Sequence, residues 1–172
     1  MGNVILVLNA GSSSLKFSIF NVGAARVLSA MAVGQIEGLG TAPRLKAKGA
    51  DGSVIADEQW TTSEVANHGQ ALQEIATLLR ARFAGQELVG VGHRVVHGGP
   101  DYSAPLLITP PAMETLATFV PLAPLHQPHN LAAIRAVAEA RPELPQVACF
   151  DTAFHRTQET VAQLYGLPYE YY

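Results

Sequence analysis

Asn9-Ala10-Gly11-Ser12-Ser13-Ser14-Leu15-Lys16 follows an apolar run at 4–8 and combines small residues, three serine hydroxyls and a lysine. A strand that ends in small residues leaves backbone N–H groups and hydroxyls free to face an anion, and Lys16 adds a compact positive charge. Phosphate handling is the chemistry implied. Spacing excludes a Walker loop: no second glycine precedes the lysine, and the chain runs on into the alternating Phe17-Ser18-Ile19-Phe20 instead of a helix. The turn therefore joins two strands. A myristoylation signal is excluded as well, because Leu6 stands where Ser or Thr is required.

Gly92-His93-Arg94-Val95-Val96-His97-Gly98-Gly99 places an arginine and two histidines around the end of an apolar strand, and its paired glycines leave the backbone accessible. Arg94 can grip a carboxylate or phosphoryl group through two parallel hydrogen bonds and stays charged at any working pH. The competing reading is a structural arginine paired with a buried carboxylate. His93 and His97, four apart on a strand, point to one face, but no third ligand is evident for zinc. In Leu122-Ala123-Pro124-Leu125-His126-Gln127-Pro128-His129-Asn130, His126 can reach a substrate or can hold loop carbonyls, and Asn130 is a candidate N-cap. Asp151 follows the short apolar run 146–150. There it can orient a substrate, accept a proton or hold Mg²⁺ through water, or serve as a turn residue.

The elements that must position these groups are legible in outline. Strands are expected over 26–36 and 44–60, broken by Gly38-Leu39-Gly40 and by Asp51-Gly52. From 65 to 83, Ala66, Ala71, Leu72, Ile75, Leu78, Leu79 and Phe83 recur at helical spacing, with Gly85 as the stop. A strand over 88–96 leads into the His97-Gly98-Gly99-Pro100 turn. Pro111 sits early in a second helix that runs to about Phe119. A third helix covers 131–140, and a buried strand over 146–150 delivers Asp151 to its end. Strands followed by helices and more strands define an α/β layer with ligands at the strand ends.

At 172 residues, 15% charged and 48% hydrophobic, the chain reads as one globular domain, neither disordered nor acidic-tailed. A net charge of −3 argues against a nucleic-acid surface. No apolar run is long enough to span a bilayer and no basic leader precedes a signal-type core, so no membrane partner is expected. The single cysteine, Cys149, excludes an internal disulfide framework and reads as a small hydrophobe of a buried strand. A cytoplasmic protein is expected.

Taken in order, LNAGSSSLKF at 8–17, GHRVVHGG at 92–99, LAPLHQPHNL at 122–131, FDTAFH at 150–155 and YGLPYEYY at 165–172 closely resemble the amino-terminal part of acetate kinase. The resemblance implies an α/β domain with a mixed β-sheet flanked by helices. This is the ribonuclease H-like fold of the actin-like ATPase superfamily, which also holds sugar kinases and heat-shock chaperones. It implies the reaction of ATP with acetate to give ADP and acetyl phosphate, Mg²⁺ or Mn²⁺ as cofactor, and a homodimer for the complete enzyme. By this resemblance Asn9 matches a magnesium-associated asparagine, and Ser12, Ser14 and Lys16 match the hairpin that meets the nucleotide phosphates. Arg94 matches the arginine that binds the carboxylate substrate, Val96 and Leu125 apolar residues around the acyl methyl, His126 a pocket histidine, and Asp151 the catalytic aspartate. Acetate is already ionised at neutral pH, so orientation of the substrate or of metal-bound water suits Asp151 better than strong base catalysis.

A complete member would continue past Tyr172 into a histidine-containing motif, a second substrate arginine, an adenosine site and a magnesium glutamate. The expectation is an amino-terminal domain over 1–151 and the start of a second domain over 152–172, inactive in isolation. The alternatives are a propionate or butyrate kinase relative and a stand-alone, non-catalytic binding module of the same fold.

Overall fold

The computed structural model describes residues 2–171. Alternation of apolar residues with period two gives β1 (Gly2–Ala10) and β2 (Ser14–Val22), which pair antiparallel. Val4, Leu6, Leu8 and Ala10 face one side and are buried, whereas Ile5, Val7 and Asn9 lie half-buried on the other. The meander continues through β3 (Leu28–Glu37), β4 (Arg44–Gly49) and β5 (Val54–Gln59). Strand β3 starts two residues later than expected because Ala25 and Arg26 turn the chain with φ of 56° and 61°.

Helix α1 (His68–Arg82) is capped by Asn67, whose side chain accepts from the Gln70 N–H, and Gly85 turns the chain with φ of 86° just beyond Phe83. That cap explains why the helix opens later than its apolar pattern suggests. Strand β6 (Gln86–Val95) then runs parallel to β1. Next come β7 (Leu106–Leu107), α2 (Pro110–Thr118), α3 (Gln127–Ala140) and β8 (Gln146–Phe150), the last parallel to β6. The sheet order is β5-β4-β3-β2-β1-β6-β8-β7. The result is the expected mixed sheet with helices.

Helices α1 and α3 cover the face where Leu6, Leu8, Leu15, Ile19 and Val91 pack with Ala71, Ile75 and Val137. A second cluster joins Val95, Leu131, Ile134 and Phe150 to Leu116 and Phe119 at α2. The side chains of the opposite face are more exposed, and one row of register partners crosses it: Lys16, Asn9, Arg94 and Cys149.

Several expectations need correction. Helix α3 starts at Gln127, so Asn130 lies inside it and is not its N-cap. Pro128 in the first turn accounts for this early start, since its missing N–H costs nothing there. Cys149 is exposed and is not a core hydrophobe. Strand β6 ends at Val95, so His97 belongs to the following turn and shares no strand face with His93. Gly98 and Gly99 are buried and do not open the backbone to solvent. A Cβ on Gly98 would lie 2.9 Å from Phe150, and one on Gly99 would collide with the Phe119 ring.

Candidate active site

Arg94 is the hub. Its Nε donates to Asp151 Oδ1 at 3.1 Å and its Nη2 to Asp151 Oδ2 at 2.5 Å, while Nη1 donates to Asn9 Oδ1 at 3.1 Å. The three residues sit at the carboxyl ends of β6, β8 and β1, neighbouring parallel strands, where open α/β sheets bind ligands. Arg94 and Asp151 keep 47% and 42% of their side-chain surface exposed, so the pair stands at the mouth of the site instead of in the core. Guanidinium carries five N–H donors. Three are used here, which leaves two for an incoming anion.

Lys16 flanks Asn9 across the β1–β2 ladder and is exposed. In the intervening turn Gly11 N–H donates to Ser14 O at 2.8 Å. The hydroxyls of Ser12, Ser13 and Ser14 have no hydrogen-bond partner among the described residues. Lys16, Asn9, Arg94 and these hydroxyls thus line one edge with donors. Among the described residues no three His, Cys, Asp or Glu side chains cluster as a metal site. The side-chain oxygens here, Asn9 Oδ1 and the Asp151 carboxylate, each accept from Arg94 and are hard donors of the type Mg²⁺ takes together with phosphate oxygens and water.

Val96 is half-buried just beyond β6, and His126 lies exposed before α3. Leu125 is 76% exposed. None of these three side chains makes a hydrogen bond among the described residues, but one residue brings their segments together. Asn130, only 3% exposed, accepts from Val96 N–H at 3.0 Å and donates from Nδ2 to Ala10 O at 2.8 Å. It fastens the ends of β6 and β1 to the first turn of α3. The sequence offered an asparagine after a proline-rich loop, which suits a cap equally well, so this role was missed.

His93 points the other way from Arg94. It is buried under α3, and the amide of Gln146 donates to its Nε2 at 2.8 Å while accepting from Ala138 N–H at 3.3 Å. Burial pushes the His93 imidazole down to about 4, so it stays neutral near pH 7. His97 Nδ1 accepts from Gly99 N–H at 2.7 Å, and the buried Gln127 donates to His97 O at 3.0 Å. These histidines hold the turn and the sheet; Arg94 faces the exposed side.

This mixed sheet flanked by helices, with polar side chains gathered at the ends of its parallel strands, is the actin-like ATPase fold of solved kinases that superpose on it. The acetate kinase of Porphyromonas gingivalis matches 98% of this chain with a TM-score of 0.85 at 33% identity. A propionate kinase from Francisella tularensis matches 98% with a TM-score of 0.84, also at 33% identity. The profile of the acetokinase family matches residues 4–172, and the chain belongs to that family. It is 48% identical over 168 residues to the acetate kinase of Nitrobacter hamburgensis, covering 98% of this chain and 41% of that relative. The two solved kinases are covered to 42% of their lengths. The chain thus spans about two fifths of the relatives it matches.

Proposed function

We propose that this chain is the amino-terminal part of an acetate kinase, which binds the carboxylate substrate and the transferred phosphoryl group in reversible transfer between ATP and acetate. The supporting observation is the convergence of Asn9, Arg94 and Asp151 at the ends of three neighbouring parallel strands, with Lys16 next in the row. An acetate oxygen attacks the γ-phosphorus in line, the bond to the β–γ bridging oxygen breaks, and ADP departs. The protein's task is positioning and neutralisation of charge. Arg94 takes the acetate carboxylate through its two remaining N–H groups. Ser12, Ser14 and Lys16 meet the phosphates. Asp151 holds the guanidinium plane, and Val96, Leu125 and His126 border the acyl group. Asn9 and Asp151 would hold Mg²⁺, which supplies further charge neutralisation when bound.

Residues 1–151 form one wall of the cleft in this reading, and 152–172 lead toward the other. One wall leaves the transferring group open to water, so the chain alone is expected to be inactive. Incubation with ATP, Mg²⁺ and acetate should give acetyl phosphate at background only, while calorimetric titration with acetyl phosphate should give binding heat that Arg94→Ala abolishes. Robust turnover by 1–172 would refute the half-site reading. Equal binding by the Arg94→Ala variant would refute the assignment of Arg94.

A propionate kinase matches this chain as well as that acetate kinase does, so a second reading stands beside the first, a preference for a longer acyl chain. One methylene in an apolar pocket is worth about 1–3 kcal/mol. Relative kcat/KM values of the full natural chain for acetate, propionate and butyrate decide between them.

A further inference from the structure

The Gly11 carbonyl accepts a hydrogen bond from His68 Nε2–H at 2.7 Å, across 57 positions of the chain. His68 is the first residue of α1 and is half-buried, and its ring lies 5.7 Å from that of His129 on α3, tilted by 34°. The neighbouring peptide groups are held by other partners. Ala10 O accepts from Asn130 at 2.8 Å, Gly11 N–H donates to Ser14 O at 2.8 Å, and Ser13 O accepts from Leu39 N–H at 3.0 Å. In the turn, the unit joining Gly11 to Ser12 is the one fixed by α1.

In a trans peptide the carbonyl and the following N–H point in opposite directions. No described peptide bond is cis. Fixing Gly11 O toward α1 therefore aims the Ser12 N–H away from it, into the open side of the hairpin. This N–H has no acceptor among the described residues. The residue is exposed.

We propose that His68 is a positioning residue which, by holding Gly11 O, aims the Ser12 backbone N–H at a phosphate oxygen of the bound nucleotide. The proposal rests on the phosphate-binding reading of the hairpin. His129 backs the imidazole, so α1 and α3 jointly set the affinity of a turn that belongs to neither.

The test uses ¹⁵N-labelled 1–172 with ATP as probe and three variants. His68→Gln keeps a donor near Nε2, His68→Phe keeps a ring against His129 without a donor, and His68→Ala keeps neither. In the phenylalanine and alanine variants the Ser12 amide resonance should move before any ligand is added, and ATP affinity should fall about tenfold, as expected for one misdirected bond to a charged acceptor. The glutamine variant should stay within about twofold of wild type. Protected α1 amides in all variants show that the fold is intact. A phenylalanine variant with wild-type Ser12 resonance and ATP affinity overturns the proposal, as does a glutamine variant no better than phenylalanine. A Ser12 resonance that moves in the phenylalanine variant, while ATP perturbs no hairpin amide even in wild type, overturns the phosphate-binding reading and the proposal with it.

Discussion

Arg94 is paired with a carboxylate, but an exposed one and not the buried partner of a structural arginine, and it faces solvent with donors to spare. The planar fork is what makes this possible, since two bonds to Asp151 and one to Asn9 fix the guanidinium while two of its five N–H groups stay free. Lysine cannot do both. Arg94→Lys should weaken acetyl phosphate binding about tenfold or more, measured by calorimetry, with little change in stability, because an exposed pair contributes only about 0–1 kcal/mol. Asn130 is the opposite case. Its alanine variant orphans the Val96 N–H and the Ala10 carbonyl together, a loss of about 2–4 kcal/mol in chemical denaturation. Residue type and place in the chain suffice to single out Arg94, Lys16 and Asp151 as candidates. They could not reveal Asn130, whose partners lie 34 and 120 positions away. His93 gives a third expectation. Its folded pKa of about 4 lies below the ordinary 6.5, so the unfolded chain takes up the proton first as pH falls. The contribution is complete above 6.5 and lost between 6.5 and about 4, at most about 3 kcal/mol. Denaturation at pH 7 and pH 4.5 should show this loss in wild type and less of it in His93→Gln.

Elements carry the second level of positioning. Strands β1 to β5 were legible because their period-two pattern matches a sheet buried on one face, and α1 because its apolar spacing coincides with a clean cap and stop. Strand β7 was not. Two residues cannot display a period, and β7 exists only because Leu106 and Leu107 find β8. The turn after β6 misled for a related reason: two adjacent glycines suggest an open backbone, whereas here they admit the rings of Phe119 and Phe150 from neighbouring elements. Gly99 also has φ of 62°, a left-handed conformation that costs a residue with a Cβ. Gly99→Ala combines that strain with overpacking. It should lower stability by about 2–4 kcal/mol and, through the displaced turn, weaken acetyl phosphate binding without touching Arg94. A thermal melt and a titration of one variant measure both effects.

Across the whole chain, cohesion is concentrated in the sheet with α1 and α3 and thins past Phe150. From Asp151 onward the backbone forms a 3₁₀ segment (Asp151–Thr157) and a single helical turn, α4 (Thr160–Gln163), with no buried residue in either. Thr152 Oγ1 accepts from Gly98 N–H at 3.2 Å and Arg156 donates to Pro100 O at 3.2 Å, which ties the start of this segment to the turn after β6. Farther on, Tyr165 is 80% and Tyr169 83% exposed. Opening the stretch from 158 onward therefore uncovers little apolar surface and leaves the sheet intact. Chymotrypsin should cut first near Tyr165, Leu167 and Tyr169, producing a fragment that keeps every strand, Arg94 and Asp151. Because the site is assembled from the ends of β1, β6 and β8, that fragment should retain the cooperative melt and bind acetyl phosphate as the uncut chain does. A tail as resistant as α1 in a demonstrated monomer would contradict this division of stability, and loss of binding on cutting would show that residues beyond 157 complete the site.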